Sequence, residues 1–205
     1  MANSTADIQK LYIAYFNRPA DIDGLAYWAA SSMSLKEISN SFAAQKEYKD
    51  AYDGLGINQV VNTIYKNMFG HDADFAGLNY WVAEINAGRV TLGTAAYMIL
   101  AGAKDADKTA IDSKTTAADA FTKAMDTTAE KVAYESTSGK TLAKIWLSKV
   151  VDAASLATAT AAVDSTLAAI VGGGIDGVTL TNGTDIRDGV VFNAPQVYTP
   201  GGDDR

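Results

Sequence analysis

Apolar residues recur along the first half of the chain at helical spacing, in short bursts. Ile8, Leu11, Tyr12, Tyr15 and Phe16 fall at i, i+3, i+4, i+7 and i+8, the template of an amphipathic helix. Ser4 stands where an N-cap is needed, and Asp7 suits the positive end of the helix. Pro19 is expected to close it, because the residue before a proline is pushed out of the α region. A loop over 18–23 follows, then a short helix from Gly24 with Leu25 and Trp28 on one face. Ser34 and Glu37 read as a capping box opening a third helix through Ile38, Phe42 and Tyr48.

The same plan is then written a second time. Asn58 is the expected cap of a helix carrying Val61, Ile64, Tyr65 and Met68 inward. A loop over 70–76 leads to a short helix around Trp81, with Gly88 as its C-cap, and Thr91 opens the counterpart of the third helix. Residues 8–28 and 61–81 align without a gap. Tyr12 falls on Tyr65, Phe16 on Phe69, Asp21 on Asp74, Gly24 on Gly77, Leu25 on Leu78, Tyr27 on Tyr80 and Trp28 on Trp81. Such a repeat marks a supersecondary unit that buries its apolar face on its neighbour.

Beyond Lys104 the repeat is lost and the text turns to Ala and Thr, but helical periodicity persists in three pieces. Ala117, Phe121, Ala124 and Met125 mark one; Leu142, Ile145, Trp146 and Val150 mark another, with Lys149 as its polar exception; Leu156, Val163, Leu167 and Ile170 mark the third. Gly172, Gly173 and Gly174 stop the last helix. Short β-rich runs at 178–180, 190–192 and 197–199 then alternate with Asn-Gly, Asp-Gly and Pro-Gly turn signals. The expected fold class is mainly α, a bundle of short helices. It contains two tandem helix–loop–helix repeats, followed by further helices and a short β-rich C-terminal tail. The divisions are a repeat region at 1–104 (copies 4–53 and 58–104), a helical region at 105–171 packing on it, and a Gly hinge with β-rich text at 172–205. The closing Gly-Gly-Asp-Asp-Arg reads as a cut at the start of a β-structured remainder.

Composition narrows the roles. Nearly half the residues are hydrophobic (48%), enough for a core in 205 residues without disulfides. Cysteine is absent, which removes thiolate zinc sites and thiol nucleophiles. A net charge of −7 disfavours nucleic acid and anionic bilayers as partners and suits a surface that recruits divalent cations. No stretch approaches the ~18 apolar residues that suggest a transmembrane segment. The start, MANSTADIQK, lacks the basic and apolar segments of a secretory signal peptide.

The doubled Tyr…Phe…Ala-Asp-x-x-Gly-Leu-x-Tyr-Trp text resembles a domain of unassigned function found in secreted bacterial repeats-in-toxin (RTX) and surface-layer (S-layer) proteins. More distantly it is similar to the helical linker domain of phycobilisomes. The family's Gly-Arg-Asp-Pro-Asp loop is partly kept, as 17–21 in one copy and 70–74 in the other, and Glu47-Tyr48 resembles its closing Glu-Phe. The resemblance implies type I secretion without an N-terminal signal peptide and an extracellular, cell-surface location. It also implies anchoring to lipopolysaccharide, self-assembly, and calcium as the cofactor. Gly201, Gly202 and the following aspartates are similar to the approach to calcium-binding Gly-Gly-x-Gly-x-Asp repeats, but no complete repeat is present.

Candidate residues follow from the repeat. Tyr27 and Tyr80 suit stacking on sugar rings, whereas Trp28 and Trp81, at helical spacing from Leu25 and Leu78, read as core. Arg18 and His71, at aligned loop positions, are the other candidate ligand-binding residues. Asp21, Asp23, Asp72 and Asp74 supply the alternating carboxylates that calcium favours. Only the Asp21/Asp74 position recurs, which favours helix capping there. No catalytic residue is assigned: a lone histidine supports neither a histidine metal site nor a triad. The glycines at 172–177 lack the strand-before, helix-after context of a dinucleotide fold. The expected role is non-enzymatic: an anchoring and assembly module binding cell-surface polysaccharide. The alternatives are a protein–protein linker, or the non-catalytic part of a secreted polysaccharide-acting enzyme.

Overall fold

The computed structural model describes residues 3–173, together with the backbone of two short tail strands. The first copy comprises α1 (Thr5–Phe16), α2 (Ile22–Ala30) and α3 (Leu35–Ala43), with an added α4 (Lys46–Tyr52). The second comprises α5 (Ile57–Phe69), α6 (Phe75–Asn86) and α7 (Leu92–Ala101). Then follow α8 (Asp105–Ala124), α9 (Thr128–Glu135), α10 (Thr137–Ser148), α11 (Ala153–Ala161) and α12 (Val163–Val171). The fold is mainly α, as the pattern predicts. In the tail, β1 (Thr184–Arg187) pairs antiparallel with β2 (Val190–Asn193). The second strand contains the expected run at 190–192; the runs at 178–180 and 197–199 lie outside the described residues.

The caps explain where the helices begin. Ser4 Oγ accepts from Asp7 N–H at 3.0 Å, and the Ser34–Glu37 box closes in both directions. Asn58 is not the cap of α5. Gly56 takes that position and donates its N–H to Gln59 Oε1 at 2.9 Å, so the helix starts earlier. Helix α1 ends at Asn17, which adopts a left-handed conformation (φ 54°) before Pro19 is reached. The expected third helix through Tyr48 is two helices, because Gln45 starts α4 afresh. The Leu156–Ile170 piece likewise breaks at Ala162 into α11 and α12, bent by 50°. Helix α9, opened by a Thr127–Glu130 capping box, is one the apolar pattern does not mark out.

The two copies pack through like elements, α3 on α7 and α1 on α5. A Cβ on Gly93 of α7 would lie 3.2 Å from Ala43 of α3, so the two backbones approach closely there. Helix α1 is buried on nearly every side rather than along one stripe, since α2, α3, α5, α7 and α8 surround it. Helix α8 is the second central element and packs on α1, α5, α11 and α12. The buried apolar side chains form one cluster running from Ile8 to Ile170, so residues 105–171 share a core with the repeats. Burial of this kind is the dominant favourable term in folding.

Candidate functional site

The repeated text builds the same joint twice. In the first copy, Gln9 of α1 reaches the loop, and its Oε1 accepts from Ala20 N–H at 3.0 Å. In the second, Asn62 Oδ1 accepts from Ala73 N–H at 3.1 Å, at the aligned position. Asp21 and Asp74 then cap α2 and α6, each accepting from the glycine N–H three residues on at 2.6 Å. A cap carboxylate satisfies a backbone donor that the helix itself cannot. The shared glycines follow from the tyrosines above them. A Cβ on Gly24 would collide with the Tyr12 hydroxyl, and one on Gly77 would come within 3.1 Å of the Tyr65 hydroxyl. Burial, with the Asp21 carboxylate, pushes the Tyr12 hydroxyl pKa up; the hydroxyl stays protonated and donates to Asp21 at 3.4 Å.

The two loops diverge at the Arg18/His71 position. Arg18 is 5% exposed. Its Nε and Nη2 donate to Glu47, the latter at 2.9 Å, and its Nη1 donates to Pro19 O and to Tyr134 Oη, both at 3.2 Å. The guanidinium also lies 5.3 to 5.6 Å from the ring centres of Tyr12, Phe16 and Tyr134. Burial opposes its charge, but Tyr134 and Glu47 outweigh that and hold it protonated. Burial pushes the Glu47 carboxyl up, and Arg18 and Lys144 more than offset it, leaving its pKa below the usual range. The Tyr134 hydroxyl donates to Pro19 O, so α9 covers the first loop.

His71 is exposed instead. Its Nδ1 donates to Asp72 O at 2.7 Å, and its Nε2 lies 2.9 Å from Asp107 Oδ1 at the start of α8. Both ring nitrogens face acceptors, an arrangement that only the imidazolium satisfies fully. The Asp72 carbonyl and the Asp107 carboxylate together raise its pKa despite some burial.

The remaining candidates separate into committed and free groups. Asp72 pairs with Lys66 at 3.1 Å, and Asp23 is exposed in the first turn of α2. Among the described residues, no three histidines or carboxylates converge into a group able to hold a metal ion. Trp28 and Trp81 are half-buried, packed against the core but not enclosed by it. Trp28 meets Phe42 edge-on at 5.3 Å, and Trp81 Nε1 donates to Tyr65 Oη at 3.2 Å. Tyr27 and Tyr80 stay exposed, at 66% and 56%, each edge-to-face on its own tryptophan at 4.9 Å.

Sequence reasoning missed a cleft beside the first copy. One lobe, of about 350 Å³, is lined by Tyr12, Phe16, Arg18, Trp28 and Phe42, with Gln45, Lys46 and Lys140 at its polar side. The adjoining lobe, of about 540 Å³, adds Asp50, Glu135 and Lys144. Helices α4 and α10, far apart in the chain, meet here, with Lys144 Nζ 3.0 Å from Glu47 Oε1, so no local spacing announces it.

Residues 39–100 match the model of a family described as a domain of unknown function (DUF4214). The chain is similar to that family over this span. The span runs from within α3 to within α7 and takes in the whole second loop, with Asp74, Gly77 and Trp81. No curated protein and no solved structure matches the chain.

Proposed function

We propose that this chain is a non-enzymatic anchoring and assembly module of an extracellular protein of S-layer or RTX type. It would bind cell-surface polysaccharide, with lipopolysaccharide as the expected partner. The observation that carries the reading is the pair of matched tyrosine–tryptophan edges. The repeat's aspartates, glycines and buried tyrosines are occupied in holding each copy together, yet Tyr27 and Tyr80 are left exposed at aligned positions. Exposed aromatic rings suit the apolar faces of sugars, and two like contacts on one module multiply weak affinities when both engage a polymer. The cleft beside Trp28 adds lysines and an amide that would accept polar sugar substituents.

Calcium-dependent assembly belongs to the same proposal. Asp21 and Asp74 are occupied as caps and Asp72 by Lys66, which leaves Asp23 alone at the surface, so an ion is expected at contacts between copies rather than within one loop. The test is co-sedimentation with cells that carry or lack surface polysaccharide, in calcium and in chelator. Retention only on polysaccharide-bearing cells, increased by calcium, is the expected outcome. Equal retention on both cell types rejects the reading.

A second reading, a protein–protein linker, is favoured by a different observation. Helices α2 and α6 are apolar, yet neither contains a fully buried residue, and Phe75 is 83% exposed. Capture of a protein partner that polysaccharide removal leaves unchanged would select it.

A further inference from the structure

Helices α10, α11 and α12 enclose a groove of about 420 Å³, lined, among the described residues, by ones between 142 and 169. That volume falls within the range of small-molecule sites, roughly 300–1,000 Å³. Leu142, Ile145, Trp146, Ala159, Ala162 and Ala169 form its apolar walls. The polar atoms along it are already committed to backbone. Trp146 Nε1 donates to Ala159 O at 3.2 Å, Thr158 Oγ1 to Ala154 O at 3.2 Å, and Thr166 Oγ1 to Ala162 O at 2.7 Å. Ser165 Oγ donates to the same Ala162 carbonyl, and Ser155 belongs to the Asp152 cap of α11. A sugar or a nucleotide would therefore find few hydrogen-bond partners, whereas an apolar chain would need none.

Two further observations point to the occupant. The bent α11–α12 pair is together apolar enough to resemble a membrane segment, although no single described helix is long and apolar enough to cross a bilayer. Among the described residues, the one charged side chain in the lining is Lys149, the polar exception in the apolar pattern of α10, and it is exposed at that helix's end. A lysine beside an apolar groove complements an anionic head on an apolar tail. We propose that this groove binds a free medium-chain fatty acid, its tail between α10 and α12 and its carboxylate at Lys149. The proposal is independent of the polysaccharide reading, because it uses no residue of the two copies.

Calorimetric titration of the full chain with dodecanoate, below its micelle concentration, tests it. The expected result is one saturable site that binds dodecyltrimethylammonium several-fold more weakly. Lys149→Glu should weaken dodecanoate about fivefold, in keeping with a solvent-exposed ion pair, and bring the two heads to parity or reverse them. Ala169→Trp, which fills the groove from α12, should abolish binding while circular dichroism stays unchanged. If that variant does not fold, the Lys149→Glu head-group comparison still decides. No saturation with wild type overturns the proposal, as does binding indifferent to both substitutions. So does binding to phosphatidylglycerol vesicles without binding to free dodecanoate. Self-association that Ala169→Trp abolishes would give the groove to a second copy and also reject it.

Discussion

The side chain of Gln9 holds the backbone of Ala20, eleven residues further along, through a 3.0 Å hydrogen bond from its N–H. The same amide donates through Nε2 to Thr122 Oγ1 at 2.8 Å, and that hydroxyl lies 2.7 Å from Ala20 O. One buried glutamine thus ties the first loop to α1 and to α8 together. Gln9→Ala leaves a buried N–H and a buried hydroxyl short of partners, which costs about 2–3 kcal/mol. Asn62→Ala, at the aligned and less buried position, should cost about 1 kcal/mol. Urea denaturation of both variants checks the order.

The glycines give a sharper contrast. Alanine is favoured over glycine inside a helix by about 1 kcal/mol. At Gly24 that gain meets a collision with the Tyr12 hydroxyl and the Asp21 cap. At Gly77 the nearest atoms stand 3.1 Å away and can yield. Gly24→Ala should lower stability by about 1–3 kcal/mol, and Gly77→Ala should be close to neutral. Thermal melts of the two variants read the difference directly.

Much of this was legible from local text. The Ser4 cap, the Ser34–Glu37 box and the Asp21/Asp74 caps span three residues each, so spacing alone reveals them. The mainly α class follows from periodicity. The Gln9 link to Thr122 and the Arg18 link to Tyr134 cross more than a hundred residues, and no spacing rule reaches that far. Helix α9 escaped because it turns a single large side chain, Tyr134, into the core and leaves Val132 69% exposed. Arg18 and His71 align in sequence but not in surroundings, since Tyr134 covers one loop and leaves the other open.

The Arg18–Glu47 pair is a structural ion pair between the first loop and α4. Arg18 is buried, whereas Glu47 is 25% exposed and would keep Lys144 at 3.0 Å, so losing Arg18 should cost about 2–3 kcal/mol rather than the full penalty of a lone buried charge. Arg18→Met should therefore destabilise by that amount, while Arg18→Met with Glu47→Leu should recover part of the loss. A double-mutant cycle from chemical denaturation measures the coupling.

Lys114 carries the opposite sign. It is fully buried on α8, among the described residues its ammonium donates only to Leu147 O at 3.0 Å, and burial lowers its pKa to about 8. Its folded pKa lies below the unfolded value. Below pH 8 the folded protein must therefore hold a buried charge, and between about 8 and 10.5 the unfolded chain binds more protons. Stability from this group rises with pH across that window. Lys114→Met should stabilise the protein by about 3 kcal/mol at pH 7, an advantage that disappears above about pH 10.5. Denaturation midpoints at pH 7 and at pH 10.5 test both halves.

The repeat's side chains divide into those that build the module and two exposed tyrosines placed to touch a partner. The most direct measurement compares Tyr27→Ala/Tyr80→Ala with wild type for denaturation midpoint and for retention on polysaccharide-bearing cells. An unchanged midpoint with retention lost by more than either single substitution predicts is the result this account requires. Full retention by the double variant, or a collapse of the fold in its place, contradicts it.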